Sequence, residues 1–458
     1  MRRKKNSIGK ILFLLVFAVI LGAGGFIFVS PQFEKESPVI HFKENIYWNL
    51  KDSLDLTISD NSGIKYYRVL FKDDNKEIVL NQEILAEPKK EIHLKLAPPE
   101  LDMFFKNKEV EIVVEAIDSS KWNFLEGNTV VESFNVKIDK ERPVATVIGN
   151  SLAIRRGGSA VVVVKVSDEN LDKAYISFNN DEEIFALTPF YRENYYMALI
   201  AWPVTINEFE QVSIVAIDKA GNKTRNKIPL YIRPLKIKKD KIEISEKFIK
   251  NVSTSVLEQS SFPVPTELED IFLAENRVLR AKNIETLKED TRKYMDRSLV
   301  TSFDIKPFQR LSGSRTAAGF AERRYYYYNG VKIDEAWHLG LDWASVKFAP
   351  IEVTNPGRVI LNKYVGIYGN TIIIDHKMGL ATLYAHTSVS KVNAGDEVQA
   401  NQMIAKTGST GAVLGDHLHF GVLVQGIEVN PLEWMDKNWI KTRITDILDE
   451  SKKVIENQ

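Results

Sequence analysis

The chain of 458 residues contains no cysteine. A chain without thiols has no disulfide framework, no thiolate zinc site and no cysteine nucleophile, so histidine and carboxylate side chains remain as ligands for a transition metal. The 61 basic and 61 acidic residues cancel. This balance leaves no overall electrostatic attraction towards nucleic acid, and we expect no nucleic-acid partner.

Histidine is also scarce, with seven in the whole chain, but its distribution is uneven. Imidazole binds transition metals and exchanges protons near neutral pH, so a cluster of histidines indicates a chemical site. The stretch from Trp337 to Pro431 is therefore the candidate site of this protein. Five of the seven histidines lie in it: His338, His376, His386, His417 and His419.

The N-terminal region predicts a membrane anchor. The run from Ile11 to Val29 has no charged or strongly polar residue, and at the helical rise it covers about 28 Å, close to the roughly 30 Å hydrocarbon core of a bilayer. A cleaved signal peptide is the alternative, but the run exceeds the ~7–15 residues of a signal h-region and no clear Ala-x-Ala site follows. Basic residues precede the run: Arg2, Arg3, Lys4, Lys5 and Lys10.

This basic flank predicts a single-pass protein of the inner (cytoplasmic) membrane, with a cytoplasmic N-terminus and the remainder on the periplasmic or extracytoplasmic side. Residues 1–30 would form the cytoplasmic tip and the transmembrane helix. A chain of 458 residues is too long for one ordinary core, so several domains follow the anchor.

Between the anchor and the histidine-rich stretch, short alternating strands repeat at the spacing of one β-sandwich. The letters ISDN at 58–61 return as VSDE at 166–169, and AID at 116–118 returns at 216–218, which are offsets of 108 and 100 residues. The pattern resembles the immunoglobulin-like modules of bacterial envelope proteins. It predicts two β-sandwich modules, at 37–139 and 140–233, that act as spacers or as surfaces for cell-wall or division proteins.

The period then changes to that of helices, which predicts a helical linker at 234–300, interrupted at 261–265. Such a linker usually only connects, but a sharper hypothesis is that it packs near the active groove and limits access. Residues 301–436 would form the domain that carries the site, and 437–458 an amphipathic C-terminal helix that covers the edge of that domain. Four consecutive tyrosines at 325–328 favour a strand with one buried face over a groove lining.

A hydrolytic zinc site needs about three protein ligands, an open position for water and a nearby base. His417 and His419 are two apart, so on a strand they project to the same face. His338 and Asp342 are four apart, and both a helix face and a wrapping loop would let them reach one ion. The residue types and spacings thus fit a metal centre, although each pair taken alone is weak evidence.

The order His-x-x-x-Asp at 338–342, Leu-Tyr-Ala-His at 383–386 and Gly-Asp-His-Leu-His-Phe at 415–420 resembles the LytM-type, lysostaphin-like zinc metallopeptidases of peptidase family M23. The resemblance extends over about residues 308–436. It implies an antiparallel-β peptidase domain, so the expected fold class is multidomain and mainly β. Further matching segments lie at 368–370, 374–376, 394–398, 408–411 and 429–431.

The resemblance also implies roles for individual residues. His338, Asp342 and His419 match the ligands of one Zn²⁺ per chain. His386 and His417 match the general base and the transition-state stabiliser, in an order that the sequence leaves open, whereas His376 has no ligand role. One position departs from the family pattern, because Gly421 stands where Glu is usual. The expected substrate groove includes Asn370, Tyr384, Ser409 and Thr410.

The function implied is a zinc-dependent endopeptidase that hydrolyses peptide cross-links of peptidoglycan through a metal-activated water, in wall remodelling, division or shape. In an envelope with directly linked stems, the bond would join D-Ala to meso-diaminopimelate. Two alternatives stay open. One is a zinc carboxypeptidase that trims stem peptides, and the other is a non-catalytic LytM-like activator of a wall amidase, which the intact set of five site positions disfavours.

Overall fold

The computed structural model describes residues 7–73, 76–102 and 105–458. The basic residues Arg2, Arg3, Lys4 and Lys5 lie outside these ranges. The predicted fold class is confirmed, since the chain is mainly β with an apolar N-terminal helix and a C-terminal domain of antiparallel sheets. The described residues divide into two compact units, one comprising those up to Arg142 together with 217–223 and the other comprising 143–216 with 224–458.

The N-terminal helix α1 spans Ser7–Val29, and a short 3₁₀ turn, Pro31–Phe33, follows it. Its stretch Gly9–Val29 is long and apolar enough to cross a membrane, and it is the one such helix among the described residues. None of its side chains from Gly9 to Val29 is buried. A membrane anchor and a signal sequence both have these properties.

The rest of the first unit is built on a six-stranded sheet in the order β1-β3-β5-β6-β2, with β4 paired to β3. Its core contains Trp48, Val69 and Phe71 beside the alternating apolar residues of β5. The predicted immunoglobulin-like topology stays a prediction. The strands are β1 Val39–His41, β2 Ile46–Trp48, β3 Leu54–Lys72, β4 Glu77–Leu96, β5 Glu109–Asp118 and β6 Thr129–Ile138.

The second unit begins with two four-stranded sheets, in the orders β11-β10-β14-β15 and β12-β13-β9-β7. Strand β9 is apolar on both faces, and its valines 161–164 are all buried. The strands are β7 Val144–Asn150, β8 Ala153–Arg155, β9 Ser159–Ser167, β10 Leu171–Phe178, β11 Glu183–Ala186, β12 Thr188–Pro189, β13 Tyr195–Ala201, β14 Val212–Asp218, β15 Lys223–Ile228 and β16 Tyr231–Arg233.

Residues 234–300 differ in one respect from the predicted helical linker. Strand β17, Lys239–Glu243, precedes the helices and pairs in parallel with a strand of the following domain. Four of its five residues are charged, which suits its position at the edge of the sheet. The helical segments are α2 Glu246–Phe248, a π-helical turn Ile249–Ser253, α3 Thr254–Gln259, α4 Leu268–Leu273, a π-helical turn Ala274–Leu279 and α5 Arg280–Tyr294.

The following domain contains an eight-stranded antiparallel sheet in the order β18-β21-β29-β25-β24-β23-β27, with β30 paired to β29. Two three-stranded sheets, β17-β19-β20 and β22-β28-β26, flank it. The strands are β18 Arg315–Ala318, β19 Glu322–Tyr328, β20 Val331–His338, β21 Leu341–Ala344, β22 Pro350–Glu352, β23 Gly357–Tyr364, β24 Asn370–Asp375, β25 Leu380–Ala385, β26 Val389–Ser390, β27 Glu397–Val398, β28 Met403–Lys406, β29 Leu418–Val424 and β30 Ile427–Val429.

The C-terminal helices pack differently from the prediction. Helix α8 lies against β7 and β9 rather than against the edge of the preceding domain. Buried Ile444, Leu448 and Ile455 join the hydrophobic cluster of β9, and the Ser151 hydroxyl donates to the Arg443 carbonyl at 2.6 Å. The segments are α6 Pro431–Met435, α7 Lys437–Ile440, a π-helical turn Lys441–Thr445 and α8 Asp446–Glu456, while a 3₁₀ turn, Gly366–Tyr368, precedes β24.

The tyrosine run forms β19, as the structural interpretation predicted. Tyr326 is buried and its ring meets Phe272 edge-on, with ring centroids 5.2 Å apart. Strand β19 pairs with both β17 and β20, so it connects the linker to the strand that ends at His338. The linker and the candidate site are thereby held in one unit.

Candidate metal centre

Three strands supply the three predicted ligands. His338 is the last residue of β20, Asp342 is the second residue of β21, and His419 is the second residue of β29. Strands β21 and β29 are antiparallel neighbours, and Asp342 lies directly opposite His419. Because cross-strand partners project to the same face, their side chains meet. The Leu339-Gly340 turn then brings His338 to the same point.

The three ligand atoms converge. Asp342 Oδ1 lies 2.8 Å from His419 Nδ1 and 3.0 Å from His338 Nε2, and the two imidazole nitrogens are 3.2 Å apart. All three side chains are buried. The predicted ligands are thus brought together at a single point.

The donor set fits a zinc ion. Ligand bonds of 2.0–2.1 Å in tetrahedral geometry place ligand atoms roughly 3.3 Å apart, close to the separations seen here. His338 Nδ1 donates a hydrogen bond to the Gly319 carbonyl at 2.7 Å, which leaves its Nε2 lone pair for the ion. Such an outer hydrogen bond is the usual way of fixing a metal-binding imidazole.

Electrostatics favour the ligand forms of these side chains. Burial alone would raise the pKa of Asp342, but the imidazoles of His338 and His419 hold it well below its usual value. Burial lowers the pKa of His419 to about 4, against the opposing effect of Asp342. At neutral pH the pair is therefore a carboxylate and a neutral imidazole, as metal binding requires.

A second pair of histidines stands beside the ligands. His386 and His417 have ring centroids 4.9 Å apart, and the His386 and His419 centroids are 5.8 Å apart. His417 Nε2 lies 3.7 Å from Asp342 Oδ1. Burial, with smaller effects of His417 and His419, holds the pKa of His386 well below its usual value.

Backbone carbonyls orient both rings. His386 follows β25 in a left-handed conformation (φ 61°) and its Nδ1 donates to the Thr410 carbonyl at 2.8 Å. His417 Nδ1 donates to the Gly415 carbonyl, also at 2.8 Å. In both rings this leaves Nε2 as the proton-accepting nitrogen.

The four residues predicted along the groove have different surroundings. The Asn370 amide donates to Thr387 O at 3.2 Å, its backbone N–H donates to Thr410 Oγ1 at 3.0 Å, and Ser409 is exposed. Tyr384 does not line the cavity described below, because its position opposite Phe420 places its ring in the core, 3% exposed. Asn370 and Thr410 thus brace the loop whose carbonyl orients His386.

His376 lies apart from the ligand cluster. Its Nδ1 donates to the Pro356 carbonyl at 2.8 Å and its Nε2 lies 2.8 Å from Thr382 Oγ1, so both ring nitrogens have partners. Burial lowers the pKa of His376 to about 4, which keeps the ring neutral. These contacts give it a structural position within the domain.

Sequence reasoning missed Arg324. Its Nη2 lies 3.4 Å from Asp342 Oδ2, the carboxylate oxygen that faces away from the ligand cluster, and its Nε is buried without a hydrogen-bond partner among the described residues. The neighbouring Arg323 projects to the opposite face of β19, where its guanidinium pairs with Glu335 and covers the Trp337 ring. Strand alternation in the pair Arg323-Arg324 was the available signal.

A buried tyrosine and carboxyl also adjoin the centre. The Tyr368 hydroxyl donates to Glu428 Oε1 at 2.7 Å, and its ring meets His419 edge-on at 5.7 Å. Burial raises the pKa of Tyr368 well above its usual value and that of Glu428 to about 7. The pair supports the His419 ring from the side of β30.

Two glycines leave room for neighbouring groups. A Cβ on Gly340 would lie 2.5 Å from His419 Nε2 and 2.7 Å from the Phe420 carbonyl oxygen, closer than real Cβ atoms come. The turn between His338 and Asp342 therefore requires glycine. At Gly421, where the family pattern has Glu, a Cβ would meet Leu383 at 3.3 Å.

The candidate metal centre opens into a cavity of about 270 Å³. One wall contains the three ligands with His386 and His417, and Ala412–Leu414 contribute a loop. The facing wall comes from the segment predicted as a linker, at 242–248 and 272–280, and contains Ile244, Phe248, Phe272, Glu275 and Arg280. Glu275 is buried there, its Oε2 accepts from the Ser253 hydroxyl at 3.1 Å, and burial raises its pKa.

The antiparallel β domain thus combines a convergent His-Asp-His set, which could hold a metal ion, with two further histidines. Comparison with known proteins makes this specific, because residues 336–431 match Peptidase family M23. The chain carries a peptidase M23 domain at its C-terminus.

Curated relatives also match part of the chain. The chain is 36% identical over 95 residues to the DD-carboxypeptidase/endopeptidase Mpg of Neisseria meningitidis, covering 21% of this chain and 22% of that protein. It is 34% identical over 150 residues to the peptidoglycan DD-endopeptidase ShyB of Vibrio cholerae, covering 32% and 34%. It is 40% identical over 103 residues to the murein hydrolase activator NlpD of Salmonella dublin, covering 22% and 27%.

The chain thus spans only about a fifth to a third of the length of the curated relatives it matches. Among solved structures, a zinc-containing peptidase from Vibrio cholerae is 15% identical and aligns with a TM-score of 0.26, over 77% of this chain and 87% of that one.

Proposed function

We propose that the protein is a zinc-dependent endopeptidase that hydrolyses peptide cross-links of bacterial peptidoglycan, with the bond between D-Ala and meso-diaminopimelate as its target. The observation that carries this proposal is the convergence of His338 Nε2, Asp342 Oδ1 and His419 Nδ1 within 3.2 Å of one another, beside His386 and His417. The activities for which Mpg and ShyB are named support the substrate class.

In this proposal His338, Asp342 and His419 hold one Zn²⁺. When bound, the ion supplies Lewis acidity, which makes water more acidic and polarises a carbonyl. His386 and His417 lie where they can act on a water and on a scissile carbonyl. In each ring Nδ1 donates to a backbone carbonyl, so Nε2 remains to accept a proton. One imidazole accepts the proton of the water, and the other, once protonated, donates a hydrogen bond to the oxyanion.

We also propose the cellular arrangement. Helix α1 would anchor the protein in the inner membrane, with the peptidase domain on the periplasmic side. The proposed arrangement has six parts: the anchor at 1–30, two β-sandwich modules at 37–139 and 140–233, a helical linker at 234–300, the peptidase domain at 301–436 and a C-terminal helix at 437–458. The two β-rich modules would hold the peptidase away from the membrane and offer surfaces to wall or division proteins.

Two of the relatives support the alternative functions. NlpD is a murein hydrolase activator, and the 40% identity to it over 103 residues supports an activator function as the second candidate. Mpg is named a carboxypeptidase as well as an endopeptidase, and the same metal ligands would serve both activities. The intact ligand set favours catalysis over activation.

One experiment separates these functions. The full chain would be purified in detergent, its zinc measured, and its digestion of intact sacculi followed by muropeptide analysis, beside His419→Ala and the matched control His376→Ala. Loss of cross-linked dimers with the unmodified chain and with His376→Ala, but not with His419→Ala, is expected. Shortened stems with intact dimers would indicate a carboxypeptidase.

If the unmodified chain binds no zinc and its digest is identical to that of His419→Ala, catalysis is rejected. In that case, a purified wall amidase would be added to the same reactions. Faster release of stem peptides in the presence of this chain would then establish the activator function.

A further inference from the structure

The loop between β5 and β6, residues 119–128, presents apolar side chains to the outside of the first unit. Phe124 is 97% exposed and Leu125 is 67% exposed. Isolated apolar residues on a surface are ordinary, but two large neighbours at a loop tip are unusual. We call residues 119–128 the aromatic loop.

The backbone holds these side chains outward. Asn123, Phe124 and Leu125 are consecutive and all have positive φ, at 54°, 58° and 74°. Non-glycine residues avoid this region, above all in succession, so the loop shape is costly unless something requires it. Hydrogen bonds close the loop behind the tip, from Gly127 N–H to the Trp122 carbonyl at 3.2 Å and from Glu126 N–H to the Asn123 carbonyl at 3.1 Å.

The aromatic loop is attached to the chain that leaves helix α1. The Lys121 N–H donates to the Gln32 carbonyl at 2.7 Å, and Lys121 Nζ donates to Gln32 Oε1 at 2.7 Å. The Ser120 hydroxyl donates to the Glu34 carbonyl at 2.7 Å. These bonds place the loop beside the first residues after the apolar helix.

A cation contacts both elements at once. Lys35 Nζ lies 4.6 Å from the centroid of the Phe28 ring in α1 and 4.4 Å from that of Trp122 in the aromatic loop. Phe28 belongs to the stretch long and apolar enough to cross a membrane, one residue before its end at Val29. In a bilayer crossed by α1, Trp122 and Lys35 would lie at the level of the headgroups, where tryptophan and lysine are enriched in membrane proteins.

We propose that the aromatic loop inserts Phe124 and Leu125 into the headgroup–acyl boundary of the bilayer that α1 crosses. The occupant is lipid rather than a protein partner, because hydrogen bonds to Gln32 and Glu34 and the contacts of Lys35 hold the loop beside the end of the apolar helix. This inference rests on the proposed anchor. The first unit would then have two attachments to the membrane, the helix and the loop tip, which together restrict its tilt and rotation.

The lack of cysteine makes the test direct. Single cysteines, Phe124→Cys and separately Leu125→Cys, would be spin-labelled in the full chain reconstituted into phosphatidylethanolamine–phosphatidylglycerol liposomes. Accessibility to oxygen and to a water-soluble nickel chelate reports depth. The matched control is Val79→Cys, an exposed apolar site (48%) in the same unit. Val79 lies well away from the aromatic loop. It pairs with Leu70, and Leu70 pairs with Val113. Val113 is five residues before the end of β5, which is roughly 17 Å along the strand.

At Phe124 and Leu125 we expect at least a tenfold lower collision rate with the nickel chelate than at Val79. Equal, fully aqueous accessibility at all three sites would overturn the proposal. A fourth label, at Ile20→Cys in α1, separates this failure from failure of the anchor. An inserted label at Ile20 with aqueous loop labels rejects only the loop contact, whereas an aqueous label at Ile20 rejects the anchor itself.

Discussion

Asp342 and His419 face each other across neighbouring antiparallel strands, with Asp342 Oδ1 2.8 Å from His419 Nδ1. Sheet register alone creates this contact, because two residues 77 positions apart in the chain become cross-strand partners. The contact sets the position of the third ligand as well, since His338 approaches the same carboxylate oxygen at 3.0 Å.

The first prediction concerns the metal. Asp342→Ala removes a ligand and the anion that orients both imidazoles, so zinc affinity should fall by more than about 100-fold, since even outer-shell changes cost 10–100-fold. Zinc per chain measured by mass spectrometry after dialysis against a weak chelator checks this. The control is Asp375→Asn, a buried carboxyl of the same domain outside the ligand cluster. Equal zinc retention by Asp342→Ala and wild type would contradict the assignment.

The second prediction concerns Gly340. Gly340→Ala keeps every ligand but places a methyl group 2.5 Å from His419 Nε2, so the imidazole must move. Overpacking of this kind costs about 1–3 kcal/mol, and we expect zinc affinity to fall by roughly 5- to 150-fold. Gly415→Ala is the control, because a Cβ there meets nothing within 4 Å. Unchanged affinity in Gly340→Ala would show that the turn is more adaptable than its contacts indicate.

The third prediction concerns Arg324. Its guanidinium lies 3.4 Å from the outer oxygen of Asp342, so Arg324→Gln should loosen the carboxylate and lower zinc affinity by about 10- to 100-fold. Arg323→Gln is matched in residue type and strand but projects to the other face, towards Glu335 and Trp337. Isothermal titration with zinc would compare the two. If both variants weaken zinc binding to the same extent, the effect comes from the strand and not from the contact with Asp342.

The fourth prediction tests whether the helical segment limits access. Asp334 in β20 receives hydrogen bonds from Asn276 Nδ2 at 2.9 Å and from Arg277 Nη2 at 3.0 Å, which attach the cavity-lining helices to the peptidase domain. Asp334→Ala removes both bonds, worth about 1.5–3 kcal/mol when a charge is involved. We expect the segment to open more often and the rate of sacculus digestion to rise about tenfold.

A decrease in that rate, with an unchanged melting temperature, would mean instead that the segment forms part of the substrate site. Lys332→Ala serves as the control, because it breaks an exposed ion pair with Glu335 on the same strand and leaves the helices in place.

The fifth prediction is a pH dependence of stability that originates at Glu433. This carboxyl is 7% exposed and accepts a bond from the Ser159 N–H at 2.9 Å, and burial raises its pKa from 4.5 to about 7, although Arg155 opposes the shift. Between pH 4.5 and about pH 7, Glu433 keeps its proton in the folded protein but has lost it in the unfolded chain. The free energy of unfolding should therefore fall as pH rises from about 4.5 to about 7, by roughly 3 kcal/mol.

Glu433→Gln should reduce this fall, because glutamine keeps the acceptor oxygen without the ionisation. Urea unfolding at pH 5 and pH 8 measures the difference, with exposed Glu352→Gln as the control. Glu428 titrates in the same direction, since burial raises its pKa to about 7, so a residual slope is expected. If the free energy of unfolding of Glu433→Gln falls with pH as much as that of the wild type, Glu433 is not the origin of the pH dependence.

Some features follow from patterns short enough to read along the chain. An apolar run of helical length produced α1, and alternation placed the tyrosine run in a strand. The His-x-His spacing brought both His417, just before β29, and His419, within it, close to Asp342. The change of period near residue 234 also located the helices, although it missed β17. These features depend on neighbours within a few residues, and local sequence contains that information.

Other features depend on contacts between distant segments. The predicted groove residue Tyr384 lies in the core because β25 pairs with β29 in a register that sets it opposite Phe420. The linker lines the metal cavity because Asn276 reaches Asp334, 58 residues away. No periodicity of either segment encodes these pairings.

The sequence by itself determined which residues are the candidate metal ligands, since their residue types suit a metal ion and their order matches that of the M23 family. Tertiary structure alone decided what surrounds them: the glycine that His419 needs as open space, the guanidinium behind Asp342 and the helical wall across the cavity. The physical reason is that ligand chemistry belongs to individual side chains. The space around His419, the orientation of Asp342 and access to the cavity instead arise from packing between strands and helices far apart in the chain.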